Sequence, residues 1–155
     1  MNLSPQLQRA FVLQEQGRHD MAEKELRQHL ATEPSDGIAL ASLAISLLDL
    51  ERRDEAEQSA REAISNGPDM AFAHYALARV LSDRNRTDEA AAAIQEAIRL
   101  EPTDADYHGM HAAIEFDRQR WKEALAAAET ARSSVGATKV RVQAMCRLGL
   151  SLSRK

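Results

Sequence analysis

A single cysteine, Cys146, in 155 residues excludes an internal disulfide and gives no evidence for an oxidising compartment. On the packed face of the last predicted helix, it reads as an inert buried thiol rather than a nucleophile. Aromatics are scarce, with three Phe, two Tyr and one Trp. No apolar run is long enough to span a bilayer: the longest, Ile38 to Leu48, is short and interrupted by Ser42 and Ser46. A basic-then-apolar leader pattern is also missing from the N-terminus, so a soluble, cytoplasmic protein without direct membrane insertion is expected. Neither a glycine-rich phosphate loop nor a nucleophile elbow occurs. No enzyme activity and no cofactor are therefore predicted.

Charge is uneven. The chain carries 24 acids against 20 bases, yet residues 132–155 hold Arg132, Lys139, Arg141, Arg147, Arg154 and Lys155 with no acid. The preceding residues keep fourteen bases against 24 acids, a net −10. An acidic body of this kind argues against nonspecific nucleic-acid binding, which depends on phosphate neutralisation. Arginine outnumbers lysine and alanine is in excess, which suggests a high-GC bacterial source.

What is abundant is periodicity. Ala22, Ala56, Ala90 and Ala124 are spaced 34 residues apart, and Pro34, Pro68 and Pro102 keep the same interval. Ala10, Ala44, Ala78 and Ala112 form a further column, as do Ala63, Ala97 and Ala131, each placing a small side chain where two helices must approach. Arg18, Arg52, Arg86 and Arg120 form another, each preceded three residues earlier by Glu15, Asp49, Asp83 or Asp117. A 34-residue period with small residues at fixed offsets and a closing proline predicts a helix-turn-helix unit stacked on itself.

In these columns the chain resembles the tetratricopeptide repeat family. The first-helix pattern is met by Leu40, Leu43, Ala44 and Leu47 and again by His74, Leu77, Ala78 and Leu81; the second-helix pattern by Ala90, Ile94, Ala97 and Pro102. The outer units depart from it, with Gln6, Arg9 and His29 in the first and His111, Glu115 and Gly136 in the fourth. The resemblance implies an all-α, right-handed superhelical array of antiparallel helix pairs. One domain, 1–155, divides into units 3–36, 37–70, 71–104 and 105–138, followed by a terminal helix at 139–155 with Val142, Met145, Cys146 and Gly149 in packed columns. That helix either caps the stack or belongs to an array cut from a longer protein. Residues 133–137 form the one linker-like stretch.

Local chemistry sets the predicted boundaries. Ser4-Pro5 opens the first helix, and Gly17 ends it in a left-handed conformation. Asp20 starts the second. Asp36, Asp69 and Asp104 are placed to cap later first helices, and Asp54 and Asp88 later second helices. Asn85 suits the left-handed turn; Glu51 and Gln119 suit it less. Each acid three residues before a column arginine is expected to pair with it and fasten the turn. His74, His108 and His111 fall where the fold packs its helices, so packing rather than metal binding is their expected role, and the carboxylates Asp104 and Asp106 are read as helix-start capping.

The resemblance also implies a concave surface lined by first helices, where the family binds peptides or helices of partner proteins. The candidate groove residues are Phe11, Ile45, Leu48, Asp49, Phe72, Tyr75, Arg79, Asp83, Phe116 and Asp117, on a face that also offers Leu7, Ile38 and Met110. Family members that clamp a partner's C-terminal carboxylate use lysines and asparagines on successive first helices. Here those positions hold Leu7, Phe11, Ala41, Ile45, Tyr75 and Arg79, and one arginine cannot form that clamp. A non-enzymatic interaction module is therefore expected. The alternatives are a scaffold whose groove is filled by a second copy of the chain, with Lys139, Arg141 and Arg147 against the acidic edge, and the repeat portion of a larger bacterial protein.

Overall fold

The computed structural model describes residues 3–131, 139–141, 143–145 and 148. Among them are eight helices: α1 (Pro5–Glu15), α2 (His19–Leu30), α3 (Gly37–Asp49), α4 (Arg53–Asn66), α5 (Ala71–Asp83), α6 (Thr87–Leu100), α7 (Ala105–Asp117) and α8 (Trp121–Thr130). Residues 139–141 and 143–145 are also helical. The expected linker at 133–137, Gly136, Val142, Cys146, Arg147 and Gly149 lie outside the described residues. Met145, expected in a packed column, is 52% exposed; Ala144 is buried in its place.

The alanine columns explain the packing. Ala10, Ala44, Ala78 and Ala112, Ala22, Ala56, Ala90 and Ala124, and Ala63, Ala97 and Ala131 are all wholly inaccessible. Alanine is the best helix former and has no side-chain rotamers to lose, so helices meet backbone to backbone at small entropic cost. Leu26, Leu47, Leu81 and Ile94 fill the remaining interior. Each odd-numbered helix packs on the even one that follows, and each even helix on the next odd one. First helices of neighbouring units also touch, α1 with α3, α3 with α5 and α5 with α7, whereas α2, α4, α6 and α8 make no such contact with one another. Contact on one layer and separation on the other curve the stack, with the first helices inside.

One turn recurs in every unit. Gly17, Glu51, Asn85 and Gln119 have φ of 70°, 60°, 59° and 61°, and the amide of the following arginine donates to the carbonyl five residues back, on Leu13, Leu47, Leu81 and Glu115 at 2.8–2.9 Å. This is the Schellman arrangement, which satisfies the free carbonyls at a helix end. The arginine that ends the motif is also the residue preceding the second helix. Asp20, Asp54 and Asp88 therefore do not cap the second helices. They lie one residue inside the first turn, where the helix dipole favours them.

The expected acid-arginine pairs three residues apart do not form either. The turn carries the arginine onto the start of the second helix: Arg52 bonds Glu55 ahead of it and Glu23 of the previous unit (2.7 Å), and Arg86 bonds Glu89 and Glu57 (2.8 Å). Burial raises the Glu23 and Glu57 carboxyls, but the arginine hydrogen bonds outweigh it and hold both below the usual range. The pairs thus join successive second helices rather than closing one turn.

Asp36 and Asp104 cap their helices two repeat lengths apart, while Ser4 caps α1 two residues past that register. Ser4 accepts from the Leu7 amide, Asp36 from Ile38 and Ala39, and Asp104 from Asp106 and Tyr107. Asp69 does not cap α5. Adding 34 to Asp36 gives Met70, which precedes the helix and offers no cap; Asp69 is one residue out of step.

Candidate functional site

Of the ten groove candidates, the structure brings three into one cleft. Tyr75, Phe116 and Asp117, with Met110, Asp106 and Lys139, border an open cleft of about 470 Å³ between α5, α7 and the helical residues from 139. Its cause is a change of side chain along the repeat. Where α5 has Tyr75 and Arg79, α7 has Gly109 and Ala113, both lining the cleft, so the wall recedes by two large side chains. Tyr75 stacks on Phe72 (6.2 Å) and tilts against Tyr107 (5.2 Å), and Phe116 meets Trp121 edge-on at 4.9 Å. These contacts hold the aromatic surfaces in place. Burial pushes the Tyr75 hydroxyl above its ordinary value, so it stays a neutral donor.

The other candidates are distributed differently. Ile45 and Phe72 lean half-buried on the larger core, Phe11 and Leu48 on the N-terminal one, and Leu7 and Ala41 are buried outright. Asp49 faces His19 at 3.5 Å and Arg79 at 3.7 Å, and Asp83 pairs with Arg53 at the turn edge. Their charges are neutralised within the array, so of the acid column Glu15 on α1 and Asp117 on α7 are the exposed members that pair with no described residue. Asp106, read from sequence as part of a helix start, joins Asp117 on the rim: it is exposed and, like Asp117, pairs with no described residue. Asp106 occupies the position of Ile38 and Phe72 in earlier units, and this break in an apolar column was the signal available in the sequence.

On the opposite layer, separation of the second helices leaves three clefts in 34-residue register. They lie between α2 and α4 (about 300 Å³), α4 and α6 (about 510 Å³) and α6 and α8 (about 400 Å³). Leu40, His74 and His108 recur on their floors. His74 and His108 bond the carbonyls of Pro68 and Pro102, both at 2.8 Å, a packing role repeated one unit apart.

Two polar insertions replace column residues. His29, 4% exposed where later units have alanine, joins Ser4 (2.9 Å) to Asp36 (2.8 Å) and so links the caps of α1 and α3. With Glu33 these ligand atoms lie within 4.8 Å of one another, but a metal ion there would displace the His29–Asp36 hydrogen bond. In the fourth unit Glu115 is buried where earlier units have Leu47 and Leu81, with Arg118 at 2.7 Å, Arg120 at 3.4 Å and His111 at 3.6 Å.

Burial lowers the His111 pKa below 6.5, against the opposing pull of Glu115. The unfolded chain therefore takes up the proton first. This contribution to stability is complete above pH 6.5 and is lost as the pH falls below it. His111→Leu, which restores the residue type of Leu43 and Leu77, should make unfolding in urea less dependent on pH between 6.5 and 5, with the gain over wild type growing towards acid. An equal gain at all pH values would contradict the assignment.

Two tetratricopeptide repeat models match the sequence, one over residues 47–114 and one over residues 7–71, together spanning most of the chain. No curated protein sequence matches. Among solved structures, a thermophilic TPR protein in Thermus thermophilus superposes with a TM-score of 0.79 at 21% identity, over 96% of this chain and 82% of that one. MamA gives 0.67 at 17% identity over 99% of both chains. An O-GlcNAc transferase from Thermobaculum terrenum gives 0.73 at 20% identity over 83% of this chain but 25% of its own. At these identities the likeness establishes a shared fold, the all-α repeat superhelix.

Proposed function

This chain belongs to the tetratricopeptide repeat family, whose members are protein-interaction scaffolds, and from that premise we propose that its inner face binds a segment of a partner protein without catalysis. The observation that carries the reading is the cleft between Tyr75, Met110 and Phe116. It is open, floored by half-buried apolar side chains held by the core, and rimmed by carboxylates without described partners. The half-buried Phe11, Ile45, Leu48 and Phe72 extend the same layer towards the N-terminus, and Asp49, Asp83 and Arg79 border it as internal pairs.

Filling the cleft tests the reading without disturbing the core. Ala113 is half-exposed at its wall, and Ala113→Met restores a long side chain where α5 has Arg79. Ala92, exposed in the α4/α6 cleft of the other layer, provides the control. Peptides selected on the wild type from a displayed random library should bind Ala113→Met about tenfold more weakly, ~1.4 kcal/mol, and Ala92→Met equally well. Loss confined to Ala92→Met would place the site on the outer layer and overturn the proposal.

A further inference from the structure

The inner face carries less free charge than its acid column suggests, and at the cleft what remains is placed at two points. Asp49 and Asp83 are occupied by Arg79 and Arg53. Glu15, exposed on α1, pairs with no described residue either but lies away from the cleft; Asp106 and Asp117 are both exposed, both on α7, and both on the rim of the apolar cleft. They are eleven residues apart, close to three whole turns, so they share one face of the helix at a separation of about 16 Å. Between them lie Met110 and the recess at half-exposed Ala113, with Gly109 buried at its base. Lys139 stands on the facing wall, so among the described residues the rim carries two negative charges against one positive.

We propose that the occupant is an extended segment with two basic residues flanking one apolar or aromatic residue, in the order basic, any, apolar, any, basic. This rests on the groove reading above and adds the chemistry of its ligand. In extended chain, residues at i, i+2 and i+4 project to one side and the outer two are separated by about 13 Å. Arginine or lysine side chains reach the rest of the way to carboxylates about 16 Å apart. The central side chain enters the recess against Tyr75 and Phe116. A helical occupant would need its basic residues eleven positions apart to match the same two carboxylates, whereas an extended one meets both within five residues. Lys139 faces the backbone carbonyls of such a segment and disfavours acidic residues within it.

A displayed library of random nine-residue peptides, panned on the full chain and on Ala113→Met, tests this. The expected result is enrichment of the basic-any-apolar-any-basic pattern on the wild type, loss of that enrichment on Ala113→Met, and weakening as salt rises. Synthetic peptides from the selection should then lose about threefold to tenfold in affinity on Asp106→Asn or Asp117→Asn. Each variant should become insensitive to removal of one peptide charge and stay sensitive to removal of the other. Asparagine preserves shape at both sites, and Asp104 still caps α7, so circular dichroism should be unchanged. Enriched peptides that lack the basic pair yet depend on Ala113 would overturn this inference and leave the groove reading intact. No enrichment, or enrichment indifferent to Ala113→Met, would overturn both. A rise in solution mass that excludes the selected peptides would assign the cleft to a second copy of the chain and reject an extended peptide as its occupant.

Discussion

Ala78→Leu should destabilise the array by about 3 kcal/mol, the high end of overpacking effects. Ala78 is wholly inaccessible and belongs to the same core cluster as Ala90, Ile94 and Ala97 on α6. The column of residue 78 is alanine in every unit, at Ala10, Ala44, Ala78 and Ala112, because two backbones converge there. Three added carbon atoms have no void to enter, so α5 and α6 must separate, loosening the contacts of α5 with α3 and α4 as well. The same substitution at exposed Ala92 should change stability by less than about 0.5 kcal/mol. Urea unfolding of the two variants makes the comparison. A tolerated leucine at residue 78 would mean that the alanine columns are not the closest approach of the helices.

The fourth unit should answer in the opposite sense. Glu115→Leu is expected to stabilise the protein by about 1–3 kcal/mol, because a buried ion pair commonly recovers less than its desolvation costs, and an apolar replacement of suitable shape removes that cost. Leu47 and Leu81 show that leucine fits this column with almost no exposure. Arg118 would keep Asp88 at 3.0 Å and Arg120 would keep Glu123 at 3.4 Å, both at the surface. Arg118→Ala should instead cost about 2–3 kcal/mol, since it removes the 2.7 Å partner of a carboxylate that is 1% exposed and leaves Oε2 already without a hydrogen bond. Denaturant titrations at pH 7 distinguish the signs. If both substitutions destabilise alike, Glu115 would be acting as an indispensable polar anchor of α7.

Repetition made the fold legible. A column read four times averages out the ambiguity of any one segment, so among the described residues the 34-residue interval matched the helix pairs and the left-handed turns, including Glu51 and Gln119, whose residue types alone argue against that conformation. What the columns could not convey was side-chain direction. Arg52 and Glu55 are neighbours because the Schellman turn rotates the chain between helices, and linear spacing gave Asp49 the same claim on the arginine. Asp69 shows the limit of composition: an acid one residue out of register caps nothing.

The site was legible in part. Tyr75, Phe116 and Asp117 were recognisable as inner-layer residues, but the cleft they share arises from what α7 lacks at Gly109 and Ala113, and small residues announce themselves weakly in a sequence already rich in alanine. Asp106 was obscured by its plausibility as a helix-start residue, a role it also fills as an acid in the first turn of α7. Neutralisation of Asp49 and Asp83 depended on Arg79 and Arg53, each thirty residues away.

On the proposal, the inner layer receives the partner at α7. The most direct test is a nuclear magnetic resonance titration of the isotope-labelled protein with a synthetic peptide of the basic-any-apolar-any-basic pattern. Shifts should concentrate on the amides of Tyr75, Asp106, Gly109, Met110, Ala113 and Asp117, with the indole of Trp121 responding through Phe116. Shifts gathered instead on Ile64, His74, Glu89 and Ala93, around the α4/α6 cleft, would contradict the proposal and move the binding surface to the outer layer.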